Sequence, residues 1–436
     1  MAQPVLQLPS EIWNHVFGYL SPADKFSARA SCKYFRKLVD HGSLWKDWSV
    51  VLGFHKGTYN SRFWATLRRR KVTSVVIRST KAKDWKQLSQ SLPSLTTVVM
   101  DRSSHASLDC IKDFPHLKRL AIRSSHTSLL LDASTVLQPQ QLTHLSMCDV
   151  TFPTAGMAGF MSAVSPFTNL TSLVCHQMGI FEETIWMVHS ILDRLPKLKH
   201  LSLSVVQTRC AFHNISRPTP GPLGGADAPV LSSLELIDCI DHSLPEDAMR
   251  LMPGLKTLAV FYRRSHQETP ERRPSPDGHH LRAWLSDLPQ LSTLVIAKGP
   301  PVKKYVTSIP ATVTGLTLCV AGLSSEDMAA VAVQVPHLLH LHIDPWPSHL
   351  GARTAQIPQL FPKLKSLKLR HEHVPERDFL HLHQLQDLEY LEILDSRPQL
   401  SKLADKLQAL TKYRLQVTTS PHRRDVWSCP CVGQVY

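Results

Sequence analysis

The chain has 436 residues, of which 43% are hydrophobic and 19% charged, a balance that belongs to an ordered fold and excludes a disordered chain. Its formal net charge of +14, with 24 histidines besides, favours an acidic partner without choosing among protein surface, phosphopeptide and nucleic acid. The nine cysteines form no C-x-x-C pair, and the longest uncharged stretch, Met328 to Ile343, holds a proline and three histidines; free thiols in a reducing cytoplasmic or nuclear setting, with no membrane span, are the expectation.

The first elements read as three short helices. Leu8, Ile12, Val16, Phe17 and Leu20 recur at helical spacing and form one apolar stripe. Ser21-Pro22-Ala23-Asp24 is a helix start, with an N-cap oxygen, a proline in the first turn and an acid at the third position. A third helix runs near Cys32 to Val39, followed by Leu44-Trp45. So small a unit cannot bury all of its apolar surface, and the stripe wants a partner.

These residues resemble an F-box: Leu8-Pro9-x-Glu11-Ile12, Val16-Phe17, Leu20, Asp24, Cys32-Lys33, the aromatic Tyr34 and Leu44-Trp45. The family often has Leu where Trp13 stands and Trp where Tyr34 stands. The resemblance implies docking on the adaptor Skp1, which links F-box proteins to a cullin scaffold, a RING protein and a ubiquitin-loaded E2. It assigns the docking to Leu8, Pro9, Ile12, Val16, Phe17, Leu20, Cys32, Phe35 and Trp45, and a stripe flanked by aromatics suits the centre of an interface. Residues 1–50 are assigned to this domain and 51–71 to a helical linker. The linker's end, Arg68-Arg69-Arg70-Lys71, is similar to a nuclear signal but reads as a solvated helix terminus.

From there one phrase returns about every 26 residues: FPHLKRLAI, LPKLKHLSL, MPGLKTLAV, LPQLSTLVI, VPHLLHLHI, FPKLKSLKL. Its first apolar residue falls at Val72, Leu95, Leu117, Leu142, Leu170, Leu198, Leu231, Leu255, Leu291, Val313, Leu338, Leu364, Leu388 and Leu410. The alternation that closes each phrase predicts a short strand, with residues such as Leu201 and Leu203 inward and their neighbours outward. Return segments such as GMAGFMSAVSPF, EETIWMVHSILDRL and SSEDMAAVAVQVP read as helices; Glu182, Glu183, Ile185, Val188 and Leu192 show the amphipathic spacing.

The period and spacing resemble leucine-rich repeats. The family's Asn or Cys ladder survives clearly only at Cys239, with Ser or Thr at Thr80, Ser103, Ser125, Ser396 and Thr418. The fold class expected is therefore α/β: a three-helix F-box, then a leucine-rich-repeat solenoid over 72–418 with parallel strands on a concave face and helices on a convex one, and a tail at 419–436. The combination resembles a divergent, fungal-type F-box substrate receptor of an SCF ubiquitin ligase. The alternative is an interaction scaffold that binds Skp1 without a role in ubiquitin transfer.

Two polar insertions interrupt the array, near 213–229 and 262–280; the second carries Thr269-Pro270 and Ser275-Pro276 among arginines, sites suited to proline-directed phosphorylation. Strand alternation places His340, His342, Asp344, Ser366, Lys368, Arg370, Tyr390, Glu392, Lys412 and Arg414 outward. Of these, His340, His342, Lys368, Arg370, Tyr390, Lys412 and Arg414 form a basic cluster suited to a protein substrate bearing an acidic or phosphorylated segment. His371-Glu372-His373 and His381-Leu382-His383 lack the further ligands a metal needs. With no nucleophile triad, phosphate loop, recognition helix or stacking motif, the expectation is a non-catalytic adaptor with no cofactor and no nucleic-acid partner.

Overall fold

The computed structural model describes residues 8–45, 48–54, 59–78, 82–101, 112–123, 139–150, 152, 156–177, 184–204, 230–239, 244–262, 278–345, 349–395 and 400–420. The insertion at 213–229, the proline-directed sites of the second insertion, and Cys429 to Cys431 of the tail lie outside the described residues. The described residues divide into two compact units, one ending at Leu170 and one beginning at Thr171.

The first unit opens on three helices, α1 (Ser10–Gly18), α2 (Pro22–Ser31) and α3 (Lys33–Val39). Ser21 starts α2 as its sequence predicts. Its Oγ accepts from the Asp24 amide at 3.2 Å and donates to the Asp24 carboxylate at 2.6 Å. The Cys32 thiol takes the same place for α3, accepting from the Phe35 amide at 3.3 Å. Phe17, Val39, Leu44 and Trp45 form the core of this helical unit, with Trp13, Leu20, Phe35 and Leu38 packed against it. Burial of each such side chain stabilises by about 1.5–3 kcal/mol. The Trp45 indole also donates to the Val39 carbonyl at 2.6 Å, so its one polar atom is satisfied in the core.

The segment read as a wholly helical linker is not one. It carries part of a strand, β1 (Ser49–Gly53), before α4 (Ser61–Arg69). Strand β1 pairs in parallel with β2 (Ser74–Arg78), and the Ser49 and Ser74 hydroxyls lie 2.6 Å apart. The sheet thus begins directly after the helical unit. It continues through β3 (Thr97–Asp101), β4 (Arg119–Arg123) and β5 (His144–Cys148), each parallel to the one before.

The second unit holds ten further strands in chain order. They are β6 (Ser172–His176), β7 (His200–Ser204), β8 (Ser233–Cys239), β9 (Thr257–Tyr262), β10 (Thr293–Ala297), β11 (Gly315–Cys319), β12 (His340–Ile343), β13 (Ser366–Arg370), β14 (Tyr390–Leu394) and β15 (Gln416–Ser420). Every pair is parallel. Leu201 and Leu203 are buried as alternation requires, and so are their counterparts Leu316 and Leu318 on β11. Helical returns bury the other side of the strands' apolar row: Ile185, Val188 and Leu192 of α5 (Thr184–Arg194) are all buried. Glu182 and Glu183 lie outside the described residues.

A side-chain ladder replaces the missing asparagines. The residue after the first apolar position is often Ser or Thr, and its hydroxyl donates to the equivalent carbonyl one repeat earlier. Thr96 reaches Thr73 at 3.3 Å, Thr143 reaches Lys118 at 3.1 Å, Ser232 reaches Lys199 at 3.1 Å and Ser292 reaches Lys256 at 3.0 Å. Each of these carbonyls also accepts two backbone amides of the next repeat, as Thr73 does from Thr96 and Thr97 at 2.9 and 3.0 Å, so the hydroxyl adds a further contact between repeats.

The last repeat is displaced from its expected register. Leu410 closes a helix, α6 (Leu400–Leu410), rather than opening a strand. Lys412 and Tyr413 then take left-handed φ values of 52° and 57°, and the chain enters β15 only at Gln416. Leu415, not Tyr413, is buried there.

Candidate functional site

The helical unit divides its predicted docking residues into two groups. Leu8, Pro9, Ile12, Val16 and Cys32 are exposed, with Ile12 48% accessible. Phe17 and Trp45, 3% and 5% accessible, are core residues; they hold the surface in place and offer no contact of their own. Leu20 and Phe35 are half-buried against that core, and Phe35 makes ring contacts to Trp13 at 4.6 Å and Phe17 at 5.3 Å.

Helix α1 thus buries Phe17 and leaves Ile12 and Val16 exposed at four-residue spacing, and Leu8, just before its start, is exposed as well. Tyr34 and Tyr19 are exposed as well. The Tyr34 hydroxyl lies 3.5 Å from the Leu8 carbonyl, which makes the patch continuous between α3 and the start of α1. Tyr34 was a position of the F-box pattern but neither tyrosine was among the assigned docking residues; the stripe rule sees one helix at a time and misses a neighbour supplied by another.

Behind this patch a buried aspartate ties the helical unit to the first repeat. Asp40, 6% accessible, accepts from Arg29 at 2.9 Å, from Arg70 at 2.7 Å and from Arg69 at 2.6 Å. Burial pushes its carboxyl up, but the hydrogen bonds and charges of Arg29 and Arg70 more than offset this, and the net effect holds it below the usual carboxylate range. Arg70 is itself buried, with its guanidinium 4.2 Å from the Trp45 ring centre. At the basic end of α4, Arg70 is thus clamped in the interior, while Arg68, Arg69 and Lys71 are exposed as expected of a solvated terminus. Lys25 is buried on the same side, donating to the Leu44 carbonyl at 3.3 Å with Trp48 5.0 Å away; desolvation lowers its pKa.

In the second unit, the outward strand positions carry a mixed surface rather than a basic one. His340 is exposed, and His342, Lys368 and Tyr390 are half-exposed. Lys368 pairs with Glu392 at 3.1 Å, and the Tyr390 hydroxyl bonds Thr418 at 2.8 Å. Arg370 is not on the surface: it is 4% accessible, 3.4 Å from the buried Asp344, and bonded to the Pro345 carbonyl and to His349. Alternation sets its direction within the strand, but at the strand end the preceding repeat folds over it. Lys412 and Arg414 lie on the turn before β15, and Arg414 donates to the Leu388 and Leu385 carbonyls at 2.9 and 3.0 Å. Of the predicted basic cluster, Arg370 is buried and Lys368 is paired, while His340, Lys412 and Arg414 are exposed.

Replacing Arg370 with Ala is expected to destabilise the second unit by about 2 kcal/mol, because Asp344 loses its buried cation. Lys368→Ala, at a partly exposed pair, costs under about 1 kcal/mol. Thermal melting of the two variants checks the contrast; equal shifts would place Arg370 on the surface after all.

Two clusters were not visible in sequence. Cys319, His342 and Asp344 bring their ligand atoms within 4.8 Å of one another, across strands whose residues are far apart in the chain. Burial first, then the Asp344 charge, pushes the Cys319 thiol well above its usual value. Arg370 already places a fixed cation beside that carboxylate, which opposes a second positive charge there. On β6–β8, Ser202 donates to Glu235 at 2.6 Å, which leaves the His176 Nε2 to donate to the Ser202 Oγ at 2.7 Å. His176 and Ser202 are both completely buried, so no substrate reaches the hydroxyl; the set is a polar link between strands.

Among the described residues no helix is long and apolar enough to cross a membrane. Residues 5–49 match the F-box-like family. None of the curated protein sequences compared with the chain matches it. Among solved structures, the chain is similar to an internalin (inlF) of Listeria monocytogenes, at 13% identity over 95% of this chain and 95% of that one, with a TM-score of 0.36. It is also similar to a chain of the TLR13–ssRNA13 complex, at 15% identity and a TM-score of 0.40, over 79% of this chain and only 50% of that one. The residues that match the F-box-like family are thus followed by strands paired in parallel in chain order.

Proposed function

We propose that the chain is the substrate-recognition subunit of an SCF-type ubiquitin ligase, docking on a Skp1-like adaptor and presenting a protein substrate on its repeat strands. The observation that carries the reading is the exposed row of Leu8, just before α1, and Ile12 and Val16 on it, with Phe17 of the same helix anchored in the core. A rigid apolar row of this kind suits the desolvated centre of a protein interface. Leu8, Pro9, Ile12, Val16, Cys32 and Tyr34 are the proposed contacts, while Phe17, Leu20, Phe35 and Trp45 act by holding them.

The receptor itself assigns no bond-making step to this chain. Its contribution is to hold a substrate near the ubiquitin-loaded E2, which raises the effective concentration of the two reactants. The pairing of Lys368 with Glu392 and the burial of Arg370 withdraw the support that charge gave to an acidic or phosphorylated substrate on these strands. His340, His342, Tyr390, Lys412 and Arg414 remain the candidate contacts there.

The test is reconstitution with the adaptor, cullin, RING protein, E1 and E2. Ubiquitin is expected to appear on the chain itself and on proteins it captures, and only when the adaptor is present. Adaptor binding with no ubiquitin transfer in either place would instead identify a scaffold.

A further inference from the structure

A second feature of the first unit is unrelated to the apolar row. A cleft of about 770 Å3 opens between α3, the turn after it and the end of α4, lined by Lys33, Arg36, Lys37, Arg69 and Lys71. A volume of that order holds a small ligand rather than a strand of nucleic acid. The cations converge on it from two helices and a turn, so they enclose a concavity instead of forming a stripe. Asp40 also borders it, but three guanidiniums already consume that carboxylate. Among the described residues Lys33, Arg36, Lys37 and Lys71 make no ion pair.

The backbone indicates that the cation at 71 is held in the cleft at a cost. Lys71 has φ of 52° and follows the last turn of α4, with its amide bonded to the Arg68 carbonyl at 3.0 Å and the Val72 amide to Leu67 at 3.2 Å. That position ordinarily takes glycine, which reaches left-handed φ without strain. The stem of Lys71 crosses Gly42, where an added Cβ would come within 3.1 Å of its Cγ and Cδ. A glycine where the lysine stem must pass, and a lysine where a glycine would be easier, together aim one ammonium into the cleft.

We propose that this cleft binds a compact, phosphate-rich anion. Several cations around a small volume call for several negative charges on few atoms, which clustered phosphate supplies and single carboxylates do not. The phosphates can be free or carried on a protein segment, and the same chemistry recognises both. Lys33 adjoins the proposed adaptor contacts Cys32 and Tyr34, while Arg69 and Lys71 on the other wall do not, and the proposal does not rest on the ligase reading.

The test is calorimetry on the full chain with inorganic tripolyphosphate, beside a doubly phosphorylated serine peptide, at near-physiological ionic strength. Saturable one-to-one binding is expected, and the tighter of the two probes names the source of the phosphate. Lys71→Gly should weaken binding about tenfold without lowering the melting temperature, since glycine fits the backbone there. Lys37→Ala should do the same by removing a cation from the other wall. No binding, or binding that neither substitution weakens, overturns the proposal. So does a poly-glutamate peptide that binds as tightly with the same sensitivity, because the site would then read negative charge alone.

Discussion

Asp40→Ala is expected to lower the stability of the first unit by about 3–5 kcal/mol, the range for removing one partner from a buried ion pair. The reason is what remains: Arg70, buried against Trp45 and Phe26, would be left with its charge uncompensated. Arg69 is different, since its side chain is 59% accessible; Arg69→Ala should cost under about 1 kcal/mol. Hydrogen exchange followed residue by residue through the helical unit reports it directly, and a fall of roughly 10 °C in its melting is the expected scale.

The same contact sets a pH dependence. Asp40 titrates below its ordinary value of about 3.8 when folded. Its stabilisation is therefore fully present above that value and is lost as pH falls through the lower, folded one. The gap in melting temperature between native chain and Asp40→Ala should close on acidification and be flat at neutral pH. A gap that stays constant into acid would mean the aspartate contributes by packing alone.

That hub also shows where sequence reasoning stops. The strands were legible because each Leu-x-x-Leu-x-Leu phrase states its own direction; Leu201 and Leu203 need no distant residue to be placed. The start of α2 was legible because Ser21 and Asp24 complete their bonds within one turn. Asp40 meets Arg29, Arg69 and Arg70 across 11, 29 and 30 positions, and nothing local distinguishes it from a surface acid.

The errors follow the same line. Strand β1 carries Ser-Val-Val-Leu-Gly without the repeat's phrase, so only its pairing with β2 identifies it. At the other end, Leu410-x-x-Tyr413-x-Leu415 imitates the phrase, while Leu400, Leu403 and Leu407 belong to a helix that runs on to Leu410. Three-residue spacing is common to both patterns, and the left-handed pair Lys412 and Tyr413 decides between them. Arg370 was misplaced because its partner Asp344 belongs to the preceding repeat. The adaptor surface was half legible: helical spacing found the row, but it could not tell Val16, exposed, from Phe17, buried beside it.

Ile12→Asp should weaken capture of a Skp1-like adaptor by more than about 100-fold, equivalent to roughly 3 kcal/mol. Ile12 stands mid-row between Leu8 and Val16, so its replacement puts a charge where the interface would be driest. Because the side chain is already half in water, the substitution costs the isolated fold little, and melting should shift by no more than a few degrees. Trp45→Ala makes the opposite case: it empties a core site and breaks the bond to Val39, so it should unfold the helical unit and abolish capture together. Tyr34→Ala, at the edge of the patch, should fall between the native chain and Ile12→Asp in affinity while melting normally. Pull-down paired with melting separates these outcomes. If Ile12→Asp melts normally and still captures the adaptor as well as the native chain, the exposed row is not the docking surface and the ligase reading fails with it. If only Trp45→Ala loses capture, the contact lies elsewhere on a helical unit that must merely be folded.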